Sequence, residues 1–122
     1  MTTHITIQES VRLVKGLMKH EFTPAQLALE QTGTLVYDNT HVIGTTEESV
    51  GPNFGDIGTA GLCIIQNLDS TNYVQVGYST GVYGQRLRAG GMPSRFFLEP
   101  GTTLLLKSNV AACNVRIIVY EF

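Results

Sequence analysis

The feature that most limits what this chain can fold into is its punctuation. Clusters of glycine, proline, asparagine and aspartate recur about every ten residues, and the runs between them are short and rich in β-branched and aromatic side chains. Nothing in this pattern calls for a long helix. The stretch from Gly61 to Gly81, GLCIIQNLDSTNYVQVGYSTG, shows it best. Leu62, Cys63, Ile64 and Ile65 form an apolar run with no polar interruption, as in a strand covered on both faces at the centre of a sandwich. Asp69-Ser70-Thr71-Asn72 is a turn cluster. Tyr73, Val74 and Val76 then resume a strand-like pattern. Two such runs around a short polar cluster predict a β-hairpin.

The rest of the chain follows the same grammar. Ile5, Ile7, Val11 and Leu13 share one face of an extended segment, with Glu9 the exception, although Val11, Val14 and Met18 also fit helical spacing. Lys15-Gly16 predicts a turn, and Glu21-Phe22-Thr23-Pro24 a second one, because Pro24 bars its predecessor from helical geometry. Leu27, Leu29 and Gln31 alternate with polar or small neighbours. Gly33–Tyr37 reads as a strand closed by Asp38-Asn39, and His41–Thr46 as another running into Glu47-Glu48. Residues 49–61 read as a loop-rich crossing. Residues 77–84 show no clear period, and Gln85–Ala89 reads as a short strand. Ser94–Leu98 and Thr103–Lys107 flank Glu99-Pro100-Gly101-Thr102, whose Pro-Gly order predicts a type II turn and a second hairpin. Val115–Tyr120 is a β-branched closing strand. The sum is an all-β chain of eight to ten short antiparallel strands. It predicts a single-domain β-sandwich of jelly-roll kind over residues 1–122, with Met1–His4 either an N-terminal arm or a frayed end.

Composition narrows the function classes. A net charge of −2 gives no electrostatic case for nucleic acid. No apolar run approaches the ~18 residues of a membrane span, and MTTHITIQES has neither the basic start nor the apolar centre of a secretory leader. The expectation is a soluble protein made in the cytosol, with neither a membrane nor a nucleic acid as partner. Charged residues are 15% of the chain, against roughly 25% for an average soluble domain. A charge-poor surface fits a protein covered by partners, whose interface centres shed charge; it also fits the Thr- and Gly-rich habit of all-β domains. Cys63 and Cys113 sit in or beside apolar runs and read as small buried hydrophobes.

Residues that could carry chemistry are few. Gly77-Tyr78-Ser79-Thr80-Gly81 matches the G-x-S-x-G nucleophile elbow, but that elbow needs a helix after its serine and a histidine later in the chain. Here Val82-Tyr83-Gly84 follows, and the last histidine is His41. His4, His20 and His41 lack metal-ligand spacing, including the H-x-H strand of cupin-type jelly rolls. Asp56 and Asp69 lie in separate loops with no calcium-loop pattern. The expectation is therefore no catalytic, metal or cofactor site and no enzyme activity. Tyr78, Tyr83, Arg86, Arg88, Arg95 and Phe96 are the one aromatic and arginine concentration. They read either as an interface patch or as arginines lying along a sandwich edge.

Three segments carry a family resemblance: Val42-Ile43-Gly44-Thr45-Thr46-Glu47-Glu48, Gly55-Asp56-Ile57-Gly58-Thr59-Ala60-Gly61, and Asn67 through Gly77. Arg86–Gly90, Leu98–Leu104 and Ser108–Ala112 continue it. Over residues 41–121 the chain resembles small virion structural proteins of tailed bacteriophages, most of all head decoration (cement) proteins. The resemblance implies a jelly-roll head protein on the exterior of an icosahedral capsid, bound to the major capsid protein. It also implies self-association, trimers more often than dimers, and no catalytic residues. A minor neck, tail or head-fibre component is the neighbouring reading. A carbohydrate-binding β-sandwich using Tyr73, Tyr78 and Tyr83 is the reading from another class.

Overall fold

The computed structural model describes residues 3–122. Met1 and Thr2, the start of the expected arm, lie outside the described residues. The sequence suggests one domain; in the structure the chain divides into two compact units, one running to Thr32 and the other from Gly33 to Phe122.

The first unit holds four short strands. β1 (Ile5–Ile7) pairs with β4 (Leu27–Leu29), and β2 (Val11–Lys15) pairs with β3 (Met18–Phe22). The single extended face expected from Ile5 to Leu13 is broken at Glu9-Ser10. Ile5 and Ile7 go to β4, whereas Val11 and Leu13 go to β3. The expected turn at Lys15-Gly16 forms, with Gly16 in the left-handed region at φ 57°. The His4 backbone N–H donates to Leu29 O at 3.0 Å, and His4 Nδ1 accepts from the Gln31 N–H at 3.1 Å.

The second unit contains β5 (Val36–Ile43), β6 (Glu48–Val50), β7 (Ala60–Asn67), β8 (Val74–Ser79), β9 (Val82–Leu87), β10 (Pro93–Phe97), β11 (Leu104–Ser108) and β12 (Cys113–Glu121). Among the described residues the protein is all-β, with twelve strands, four antiparallel sheets and no helix. Two sheets have four strands each, ordered β10-β7-β12-β5 and β6-β11-β8-β9. Only β8 and β9 are consecutive in one sheet; every other link in this unit passes from one sheet to the other. The pairs β8–β9, β7–β10, β6–β11 and β5–β12 are nested around the turn at Thr80-Gly81.

The core draws on both four-stranded sheets. Val115, Ile117 and Val119 of β12, Cys63 and Ile65 of β7, Val74 and Val76 of β8, and Leu104 and Leu106 of β11 are all fully buried. β12 shows the two-residue period of a strand with one face inward: Cys113, Val115, Ile117 and Val119 are buried, while Asn114 and Arg116 are exposed. β7 is an interior strand between β10 and β12, and all its residues are buried except the half-buried Ile64 and Gln66.

Several expectations about pairing are corrected. The hairpin predicted across Asp69–Asn72 does not form, because β7 and β8 belong to different sheets. The turn itself is real: Asp69 Oδ2 accepts from the N–H groups of Thr71 at 2.9 Å and Asn72 at 2.6 Å. The Glu99–Thr102 turn also forms, with Thr102 N–H donating to Glu99 O at 3.1 Å and Gly101 at φ 84°. It likewise joins two sheets, β10 to β11. Asp38-Asn39 does not turn the chain. Both lie inside β5, where eight register pairs with β12 outweigh local turn preference. Residues 49–61 include the end of β6, and residues 77–84 hold the β8–β9 ribbon, whose irregular register hides its period.

Candidate functional site

The G-x-S-x-G segment is the tip of the β8–β9 ribbon. Ser79 ends β8 opposite Val82, and Gly81 turns the chain at φ 74°. A strand follows where a nucleophile elbow needs a helix, and no hydrogen bond joins Ser79 to a histidine or carboxylate among the described residues. His41 Nε2 shares a 2.7 Å hydrogen bond with Tyr37 Oη. Asp38 is held instead by Arg116, whose Nε and Nη2 donate to its two oxygens at 2.9 and 2.6 Å. That bond, with the guanidinium charge, holds the Asp38 carboxyl below its ordinary range. No cluster of three or more histidine, cysteine, aspartate or glutamate side chains occurs among the described residues.

The glutamates after His41 serve the fold. Glu48 Oε2 accepts the Gly44 N–H at 2.6 Å. Glu47 Oε1 accepts from Tyr83 Oη at 2.6 Å and from the Gly81 N–H at 3.0 Å. The tyrosine bond, then the amide, lower the Glu47 pKa, and the same bond raises that of Tyr83. Cys63 and Cys113 are both buried and free. Cys63 lies opposite Val119 and Cys113 opposite Ile43, so they sit toward opposite ends of β12. Burial pushes the Cys63 thiol up to about 12.

The six arginine and aromatic candidates are divided between the two four-stranded sheets. Arg95 and Phe96 sit on β10, in the sheet of β7. Phe96 lies opposite Cys63 and packs against the core, whereas Arg95 lies opposite Ile64 on the other face. Tyr83 is tied to Glu47. Tyr78, exposed, lines a shallow trough of about 350 Å³ with Val76, Val82 and the two glycines Gly77 and Gly84. Arg86 and Arg88 line a second groove of about 230 Å³ with Thr71 and Tyr73. There the Arg86 guanidinium carbon stands 3.8 Å from the Tyr73 ring centroid. Among the described residues neither Arg86 nor Arg88 has a carboxylate within ion-pair distance, unlike Arg12 and Arg116. Tyr73 was missed as the partner of Arg86. Its signal is the β8–β9 register, in which Gln75 faces Arg86 and Val74 faces Leu87, bringing Tyr73 diagonally beside Arg86.

These surfaces offer aromatic faces, guanidinium donors and apolar area. No protein-family model, curated protein or solved structure matches this chain.

Proposed function

We propose that residues 33–122 form a jelly-roll β-sandwich and that the protein is a decoration (cement) protein of a tailed-bacteriophage head. In this role it binds the outer surface of the capsid and bridges neighbouring major capsid subunits, and its function is binding area. The observation that carries the reading is the strand order. Numbered from β5, the two sheets run 1-8-3-6 and 2-7-4-5, the arrangement of a hairpin folded over on itself into two Greek keys, as in viral capsid jelly rolls. The resemblance of residues 41–121 to virion proteins points the same way. A rigid core with apolar and aromatic side chains left outside it, among them Tyr78, Val82, Met92, Phe97 and Val110, suits a protein that works through contact.

The test is copy number in purified particles of the encoding phage, by quantitative mass spectrometry against the major capsid protein. A ratio near one is expected. A ratio of a few per cent would move the protein to a vertex, neck or tail. Absence from particles would overturn the virion reading.

A second reading, a carbohydrate-binding module, is favoured by the exposed Tyr78 beside its glycine-floored trough, since jelly rolls also serve as lectins. A glycan screen that finds a ligand, with binding lost in Tyr78→Ala, would select it over the decoration role.

A further inference from the structure

The first unit has no buried core: none of its described residues, from Thr3 to Thr32, is buried. Its β2–β3 hairpin is amphipathic all the same. Opposed residues of an antiparallel pair share a face, so the register puts Val11 with Phe22, Leu13 with His20, and Lys15 with Met18 on one side. The other side carries Arg12 with Glu21, an ion pair at 3.4 Å, and Val14 with Lys19. On the first side Val11, Leu13, Met18 and Phe22 are 43–58% exposed. A two-stranded ribbon is marginal in water unless its apolar face is covered.

The second unit offers a matching surface. A groove of about 290 Å³ is lined by residues 35–39 and 54–57, Asp38 and Asp56 among them; Leu35 and Val36 are its exposed apolar side chains, and Phe54 is buried. Asp38 is satisfied by Arg116. Asp56 is exposed and has no ion-pair or hydrogen-bond partner among the described residues. Charge is complementary. Residues 11–22 carry Arg12, Lys15 and Lys19 against Glu21, a net +2. Residues 33–122 carry five basic and seven acidic side chains, a net −2. The apolar face of the hairpin carries Lys15 and no acid, so a second hairpin face offers that lysine no carboxylate.

We infer that the apolar face of the β2–β3 hairpin docks on the groove of a second copy of the chain, against the exposed Leu35 and Val36, with Lys15 meeting Asp56. Such a head-to-tail contact builds a closed ring where its rotation closes and a chain of copies where it does not. The inference deepens the assembly reading above by naming the self-contact. It is tested on the isolated chain, so its failure is distinct from absence of the protein from particles.

The experiment is native mass spectrometry with light scattering on the full chain, from low to high micromolar concentration. The wild type is expected to be oligomeric. Leu13→Ser with Phe22→Ser is expected to weaken assembly about tenfold or more. Both residues are exposed, so the circular dichroism spectrum and melting temperature of the 33–122 unit should hold. Lys15→Glu alone and Asp56→Lys alone should each shift the chain toward monomer. Mixing these two variants should restore mixed oligomers, because each hairpin then meets an opposite charge in the other copy. A wild type monomeric throughout, oligomers unaffected by the serine variant, or variants that assemble no better mixed than alone would each overturn the inference.

Discussion

Tyr83 and Glu47 are joined by a 2.6 Å hydrogen bond that fastens the turn before β6 to the β8–β9 ribbon. Glu47 also holds the Gly81 amide at the ribbon's tip. A tyrosine that looks in sequence like an interface anchor is thus engaged within its own chain. Its Tyr83→Phe variant should fold normally, lower the melting temperature slightly, and leave any binding by the neighbouring grooves intact. Thermal melts paired with a binding assay would show whether the two effects separate.

Acid should destabilise the protein. Bonds from Arg116 lower the pKa of Asp38, those from Tyr83 lower Glu47, the Asn72 and Thr71 amides lower Asp69, and the Gly58 and Thr34 amides lower Glu121. A carboxylate whose folded pKa is depressed contributes stability that is present above its unfolded value and lost as pH falls through the folded one. The ordinary values are 3.8 for aspartate and 4.5 for glutamate, so the loss belongs below them. Urea midpoints measured from pH 7 to pH 2.5 should fall in that window, and Glu121→Gln should flatten the fall. A midpoint independent of pH there would contradict these assignments.

The core should be sensitive at its centre. Ile117 is fully buried, faces Ile65 across β12 and β7, and belongs to the cluster shared by both four-stranded sheets. Ile117→Ala is expected to cost about 2–5 kcal/mol in unfolding free energy. Ile118→Ala, at a half-buried position on the opposite face, should cost clearly less. Equal costs in denaturant titrations would mean that β12 does not present its odd-numbered positions inward.

Asn67 is the one side chain amide wholly inside the protein among the described residues. Its Nδ2 donates to Asn72 O at 2.8 Å and Leu87 O at 3.2 Å, and its Oδ1 accepts the Asp69 N–H at 3.0 Å. It fixes the crossing from β7 to β8. Asn67→Ala leaves these backbone groups without their partner and should cost about 1–3 kcal/mol. Amide hydrogen exchange at Asp69 should rise in the same variant.

The thiols should be silent in the folded protein. Burial holds Cys63 in its neutral form, up to about 12, and encloses Cys113, whose Sγ sits 3.2 Å from Ser108 Oγ. A thiol reagent at neutral pH should label neither until the chain unfolds, and labelling should track the denaturation curve. Rapid labelling under native conditions would show that the cover over these strands opens.

Much of the local structure was legible in the sequence, and the pairing was not. The turns at Lys15-Gly16, Asp69–Asn72 and Glu99–Thr102 are where their residues put them, because side-chain oxygens and glycine act over three or four residues. The same turns carry no mark of whether the chain returns beside itself or crosses to a second layer. Both hairpins expected at the last two are crossings for that reason. Asp38-Asn39 misled in the opposite sense: a turn-forming pair was overridden by the long pairing of β5 with β12. The candidate surface was legible only in fragments. Arg86 and Arg88 do share a groove, but Arg95 and Phe96, a few residues on, belong to the other sheet.

The nested pairing has a kinetic consequence. Its innermost rung, β8 with β9, closes over Thr80 and Gly81, while its outermost sets Val36 against Tyr120. Each outer rung must close a longer loop unless the one inside it has already formed, and loop-closure entropy favours working outward from the centre. Gly77 belongs to that first rung, since a methyl group there would collide with the Val82 carbonyl oxygen. On a ribosome some seventy residues after β5 must be made before β12 can pair with it. Until then the β5 segment has no partner for its backbone groups, and in the finished sheet it remains an edge strand with one side open.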